Sequence, residues 1–343
     1  MDELAIANWG CNMGAGCHSA LRDKFCLVVT VSLRKEKPHK ARSYRQIDTR
    51  QMANLDTHIG YGLDFYCGQL EEHFKCPILA YLGPIHPAVL GLFIESVENV
   101  VAARDMGKYE FPRRLTIVLD TPGGIVEAVE KMVDVVRHHF DEVFFAVPRS
   151  AMSAGTIFCM SGDKIFMDYT SSLGPIDPQV SLQNGDLVPA LGYIDKVQEF
   201  IDKSAASRLT DAELMMLQRL DLATLRRYEQ ARDLSVSLLK EWLVKYKFKD
   251  WDTHTTTNPG SQVTVEQKQE RAEQIARDLS DNRIWHSHGR MIGINRLQNG
   301  LKLRIENYGS DDKLRGSMRQ YSELLIEFAE KQSGPFFLHY RKI

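Results

Sequence analysis

The sequence predicts an α/β fold: a parallel sheet with helices packed outside it, followed by a helical C-terminal extension. Two observations predict it. Short apolar runs at Ile78–Leu82, Leu115–Leu119 and Val143–Val147 have the length and branching of buried strands, and each ends in Gly, Pro or Ser punctuation. Between them lie longer stretches whose apolar residues recur at helical spacing. Such alternation makes the strands parallel and places function at their carboxyl ends.

The 343 residues suit one large domain or two modest ones. A hydrophobic content of 43%, a charged content of 26% and a formal charge of -2 give no global bias toward nucleic acid or membrane. Cys11, Cys17, Cys26, Cys67, Cys76 and Cys159 form no C-x-x-C pair and have no His at ligand spacing, so reduced thiols and no metal are expected. Met1–Ile6 lacks the basic and apolar regions of a secretory signal. The most apolar long run, Pro77–Ile94, is interrupted by Pro84, His86 and Pro87 and is not a membrane span. A soluble, cytoplasmic protein is expected.

Residues 1–47 form an N-terminal extension with an isolated strand at Phe25–Leu33 and a basic stretch at Arg34–Arg45. Few aromatics interleave with those charges, so a solvated linker is expected rather than a nucleic-acid surface. Asp48–His73 reads as a helix, Ile78–Leu82 as a strand, and Pro87–Met106 as a helix with Leu90, Phe93, Ile94, Val97 and Val101 on its apolar face.

The strand Leu115–Leu119 stops at Asp120-Thr121-Pro122-Gly123-Gly124. Gly123 and Gly124 let the chain turn sharply with their N–H groups facing outward. Ile125, Val129, Met132, Val133 and Val136 then follow at helical spacing, so the pair sits at a helix N-terminus that favours negative charge. Val143–Val147 repeats the design: after the turn Pro148–Met152, Ser153-Ala154-Gly155 opens a helix through Met160. A Ser at a strand-to-helix turn beside a preorganised anion site is the layout of acyl-transfer chemistry, although no G-x-S-x-G pattern occurs. Ser153 is the candidate nucleophile, and the amides of Gly124 and Ala154, with Gly123 beside them, are the candidate oxyanion donors. Taken alone, a Ser at a helix start is most often an N-cap.

Beyond Gln179 the pattern turns helical, over Tyr193–Ser204 and Asp211–Tyr246, with a cap at Thr210-Asp211-Ala212-Glu213. Leu214, Met215, Met216 and Leu217 form an apolar face that suits either a core stripe or a subunit contact. Asp252–Gln262 is a polar linker, so the chain divides into 1–47, a domain over 48–251 and a last segment over 252–343. In that segment Val265–Ser280 is a helix, and His286 and His288 stand two apart with no carboxylate or Cys close in sequence to complete a metal site.

The motifs D-T-P-G-G at 120–124, S-A-M-S-A-G-T at 150–156 and S-S-L-G-P-I-D-P-Q at 171–179 resemble the Clp protease/crotonase superfamily, nearest to the serine dehydrogenase proteinase family and its signal peptide peptidase A relatives. The resemblance implies stacked ββα units and a serine peptidase with Ser153 as nucleophile and Gly124 and Ala154 as oxyanion hole. It further implies a peptide or protein substrate, no cofactor and a homo-oligomer. Where Clp proteases place their His, this chain has Ile176-Asp177-Pro178, and no His occurs between His139 and His254. The signal peptide peptidase A relatives use a Ser-Lys dyad instead, which points to Lys203, with Lys196 as the alternative and His286, His288 or Asp177 behind both. A Lys base must be neutral, so burial has to lower its pKa. The rival readings are a crotonase-like enzyme acting on an acyl-CoA thioester and a non-catalytic scaffold of the same fold.

Overall fold

A computed structural model describes residues 55–107, 109–181, 187–254, 259–332 and 334–341. The expectations for residues 1–47, with Cys11, Cys17 and Cys26, lie outside the described residues.

Helix α1 (Leu55–Phe74) precedes strand β1 (Ile78–Leu82), and helix α2 (Leu90–Arg104) leads to β2 (Arg114–Asp120). Then come α3 (Val126–His139), β3 (Glu142–Ala146), β4 (Ser150–Ala151), α4 (Ala154–Met160), β5 (Lys164–Met167) and β6 (Ser172–Leu173). The hairpin β7 (Gln179–Ser181) and β8 (Leu187–Pro189) opens a helical stretch of α5 (Ala190–Ala205), α6 (Asp211–Gln218), α7 (Leu222–Trp242) and α8 (Val265–Ser280). The short α9 (Asn282–Trp285), β9 (Ile292–Gly293), α10 (Ile294–Asn299), β10 (Glu306–Asn307), α11 (Asp312–Gln332) and β11 (Phe337–His339) close the chain.

The main sheet has the order β10-β5-β3-β2-β1-β11 and is parallel except for β11, as the alternation of strands and helices requires. Val118 pairs with Ala80 on one side and Ala146 on the other. Side chains alternate across the sheet with period two. Leu115, Ile117, Leu119, Val143 and Phe145 join the larger core beneath α2, α3, α4, α7 and α8. Ile78, Ala80, Val118, Phe144 and Ala146 join a second core beneath α1 and α11. Both faces are therefore covered, which is why these strands read as continuous apolar runs.

The segment 252–343 is built into this body. β10 and β11 occupy the two outer positions of the main sheet, and α11 lies along α1. Both strands are too short to carry a sequence period, and sequence reading missed them. The expected helix Asp211–Tyr246 is broken in two. Thr210 and Glu213 make the expected capping box on α6, and Asp221 starts α7 afresh by accepting the amides of Ala223 at 3.0 Å and Thr224 at 3.2 Å. The expected helix Pro87–Met106 begins instead with a 3₁₀ turn at Pro87–Val89, because His86 caps the chain through the amide of Ala88.

Candidate active site

Two loops at the carboxyl end of the sheet are laced together by their backbones. The Thr121 amide donates to Ser150 O at 2.9 Å, and the Met152 amide donates to Thr121 O at 3.0 Å. On the other side, Ile85 donates to Gly123 O at 2.8 Å and accepts from the Ile125 amide at 2.9 Å. The Gly123 amide donates to Thr121 Oγ1 at 3.1 Å, so this residue supplies room rather than a free donor. The Gly124 amide has no hydrogen-bond partner among the described residues.

Both glycines are obligatory here. Gly123 (φ +105°) would place a Cβ 2.8 Å from the Ser153 Cβ, so its backbone lies directly against that side chain. Gly124 (φ +148°) would place one 2.0 Å from Ile85 O.

Ser153 stands between β4 and α4 with φ +51° and ψ -116°, a conformation that costs a non-Gly residue of order 1–3 kcal/mol. It occupies the N-cap position, yet its side chain makes no capping hydrogen bond. The N-cap alternative therefore does not account for the hydroxyl. The Ala154 amide, at the first position of α4, has no partner among the described residues, as helix geometry leaves it. Gly174 leaves space over the turn: a Cβ there would lie 3.2 Å from the Ser153 amide nitrogen.

Asp120 at the end of β2 is buried, which pushes its carboxyl pKa up, while Arg149 Nε at 3.1 Å opposes the shift. With Ser150 Oγ at 3.4 Å from Oδ1, this carboxyl ties the two loops together.

Lys203 lies on α5, with Nζ 2.8 Å from Glu199 Oε1 and 2.7 Å from Glu213 Oε1. Hydrogen bonds to Glu199 and Glu213 push its pKa up, opposite to the lowering that a neutral lysine needs. In this arrangement both carboxylates pair with its ammonium, the reverse of the burial that a neutral Lys base needs. The same contact brings Glu213 down to about 2. Lys196 is exposed, 2.9 Å from Glu199 Oε2. Burial does lower one lysine, Lys247, to about 8. Its charged neighbours are Glu306, Arg304 and Asp163, with Cys159 near by, so it belongs to the C-terminal end of α4, opposite the end that carries Ser153.

Asp177, in the third motif, is only 1% exposed, and His288 Nδ1 lies 3.0 Å from its Oδ1. His286 is exposed, with φ +62°. No group of three or more metal-ligating side chains occurs among the described residues. No helix among them is long and apolar enough to cross a membrane.

Comparison with known proteins matches residues 78–282 to the model of the ClpP-like SDH-type serine proteinases. An uncharacterised protein of Methanocaldococcus jannaschii is 27% identical over 187 residues, which cover 54% of this chain and 60% of the relative. A second uncharacterised protein of that organism is 30% identical over 103 residues, covering 30% of this chain and 34% of the relative. The chain thus spans 60% and 34% of the length of these curated relatives. Among solved structures, a serine-to-alanine variant of the 1510-N membrane-bound stomatin-specific protease aligns with a TM-score of 0.38 at 15% identity, over 66% of this chain and 76% of its own. A lysine-to-alanine variant of that protease in complex with a substrate peptide aligns with a TM-score of 0.28 at 26% identity, over 34% of this chain and 54% of its own.

Proposed function

The chain belongs to the ClpP-like SDH-type serine proteinase family, and from that premise we propose that it hydrolyses peptide bonds with Ser153 as nucleophile and the amides of Gly124 and Ala154 as oxyanion hole. The observation that carries the reading is Ser153 itself, held at φ +51° with its hydroxyl unspent on the helix end, beside two amides that have no partner among the described residues. Strain kept at a strand-to-helix turn exposes a nucleophile, and amides already oriented stabilise the developing oxyanion without reorganisation. Hydrolysis of a fluorogenic peptide library by the purified chain, with new amino termini in the products, is the expected result. Turnover of acyl-CoA thioesters without peptide cleavage would instead favour the crotonase-like alternative.

A Ser-Lys dyad with Lys203 as base, and Lys196 in reserve, is one proposal for the proton acceptor. It requires Lys203 to leave both Glu199 and Glu213 and to lose its proton. With those ion pairs in place, Lys203→Arg is expected to keep peptidase activity within about threefold of the parent, because guanidinium keeps the charge. Guanidinium cannot serve as a base, so a loss of about 100-fold or more would establish the dyad instead.

We also propose a homo-oligomer in the cytoplasm. α6 buries none of its residues, and Leu214, Met215 and Met216 on it, with Leu222 beyond, are 45%, 60%, 60% and 74% exposed. That is apolar surface of the kind a neighbouring subunit covers. Cys67, Cys76 and Cys159 are free and buried, as in a reducing compartment. Light scattering should give a multiple of 39.1 kDa, and the single-chain mass at micromolar concentration would contradict the assembly.

A further inference from the structure

We infer that Arg149 and Arg319 form a carboxylate-binding subsite beside Ser153, and that the preferred substrates are peptides presenting a carboxylate about three residues from the scissile bond. This rests on the peptidase reading of Ser153.

The starting point is a construction made twice at the carboxyl end of the sheet. Asp120 ends β2, Asp168 follows directly on β5, and both are buried. Val118 pairs with Ala146 and Ala146 with Phe166, so the residues two further on, Asp120 and Asp168, come level with each other. Period two turns both toward the face that α1 and α11 cover, where Val118 and Phe166 lie. The contact of Asp168 with Arg319 of α11 agrees with that direction. Two strand spacings, roughly 10 Å, separate the two carboxylates' strands. On Oδ1 each carboxylate accepts a serine hydroxyl, Ser150 at 3.4 Å and Ser171 at 3.3 Å. On Oδ2 each faces one arginine: Arg149 Nε at 3.1 Å from Asp120, and Arg319 Nη2 at 3.2 Å from Asp168.

In both pairs the negative charge is inside and the positive charge outside. The Asp120 side chain is 10% exposed against 59% for Arg149, and that of Asp168 is 0% exposed against 39% for Arg319. An ion pair that served the fold alone would spend its donors inward. Arg149 instead donates no side-chain hydrogen bond among the described residues, because its contact with Asp120 Oδ2 lies outside hydrogen-bond geometry. Arg319 donates to Asp168 Oδ2 through one of the five N–H groups that a guanidinium carries. The exposed ring of Tyr169 stands 5.3 Å from the Arg319 guanidinium carbon and steadies it at the rim. A carboxylate behind each arginine holds it in place, and its outer edge stays open for a planar, bidentate anion.

The distance to Ser153 sets where on a peptide that anion must be. Four residues separate Arg149 from Ser153, and β4 lies between them, so their α carbons are at most about 13 Å apart. The Thr121 amide on Ser150 O and the Met152 amide on Thr121 O hold this stretch against the end of β2. An extended peptide advances about 3.3 Å per residue. With its scissile carbonyl at the Gly124 and Ala154 amides, a peptide crossing the sheet end toward the α1 and α11 face brings a side chain to Arg149 about three residues away. Arg319 continues the same rim. A cationic side chain at that position would meet two guanidinium groups, so the subsite selects by repulsion as well as by attraction.

The test measures kcat/KM on a fluorogenic peptide that the full-length parent cleaves, with Glu, Gln and Lys exchanged in turn at about four positions on each side of the scissile bond, and with the C-terminus free or amidated. In the parent, Glu about three residues from the scissile bond should exceed Gln about tenfold, mainly through KM, and the ratio should shrink as salt is raised. A gain that appears only with the free C-terminus would assign the bound carboxylate to the end of the peptide rather than to a side chain. Arg149→Gln should bring the ratio to within about twofold of one, and Arg319→Gln should lower it about threefold. Arg149→Glu should invert the preference, with Lys cleaved faster than Gln at that position, which a purely structural role for Arg149 would not produce. Should the variants fail to fold, as their melting temperatures will show, the parent decides alone: a salt-sensitive preference for the carboxylate supports the subsite, and a preference indifferent to salt overturns it. A parent ratio within about twofold of one at every position and with either terminus, or a ratio unchanged in folded Arg149→Gln and Arg319→Gln, would overturn the inference while the Ser153 reading stands. Absence of any peptide cleavage by the parent, or cleavage retained in Ser153→Ala, would overturn the peptidase reading itself.

Discussion

Ser153→Ala is expected to reduce peptide hydrolysis by about 10⁴-fold or more while leaving the fold intact, because removing a nucleophile of this type costs far more than removing any single supporting contact. The change deletes one hydroxyl that caps no helix and leaves the Gly124 and Ala154 amides where they are. Ser153→Gly should be equally inactive yet more stable than the parent by about 1 kcal/mol, since Gly adopts φ +51° without the strain that Ser carries there. Stability and activity would then move in opposite directions at one residue. Residual hydrolysis within about tenfold of the parent in either variant would remove the nucleophile assignment.

The second large effect concerns the backbone at the proposed oxyanion site. Gly124→Ala should destabilise the chain by about 3 kcal/mol or more and abolish hydrolysis, because strain and overpacking act at the same residue. Its Cβ would lie 2.0 Å from Ile85 O at a φ of +148°, and Ile85 cannot retreat while it both donates to Gly123 O and accepts from Ile125. Urea unfolding monitored by fluorescence measures this directly. A loss below about 1 kcal/mol would mean that the isolated bridge between Ile85 and Gly124 yields and does not hold the turn.

Much of this framework was legible in the residues. Ile78–Leu82 and Val265–Ser280 form the elements their apolar spacing predicts, with the same bounds. The strand expected at Leu115–Leu119 extends by one residue at each end, to Arg114–Asp120. Gly123 and Gly124 announce a tight turn because no other residue tolerates their φ values beside Ser153 and Ile85. Local chemistry carried each of these signals.

What was not legible depends on partners distant in sequence. β10 and β11 are two and three residues long and acquire strand character only by lying along β5 and β1. Lys203 is a mixed case: Glu199 four residues before it is a helix-surface pairing visible in the sequence, whereas Glu213 reaches it only through the turn between α5 and α6. The resemblance to Ser-Lys peptidases suggested a base, and the local charge pattern pointed the other way. Asp177 and His288 meet through the β6–β9 ladder, so neither residue's own neighbourhood in sequence marks the other.

Treating the full-length chain with a fluorophosphonate and mapping the adduct by peptide mass spectrometry shows whether Ser153 carries an activated hydroxyl. One phosphonyl group per active chain is expected, on Ser153 alone, with no adduct in Ser153→Ala. A chain that hydrolyses peptides yet stays unlabelled at Ser153, or carries the adduct on another residue, would contradict it.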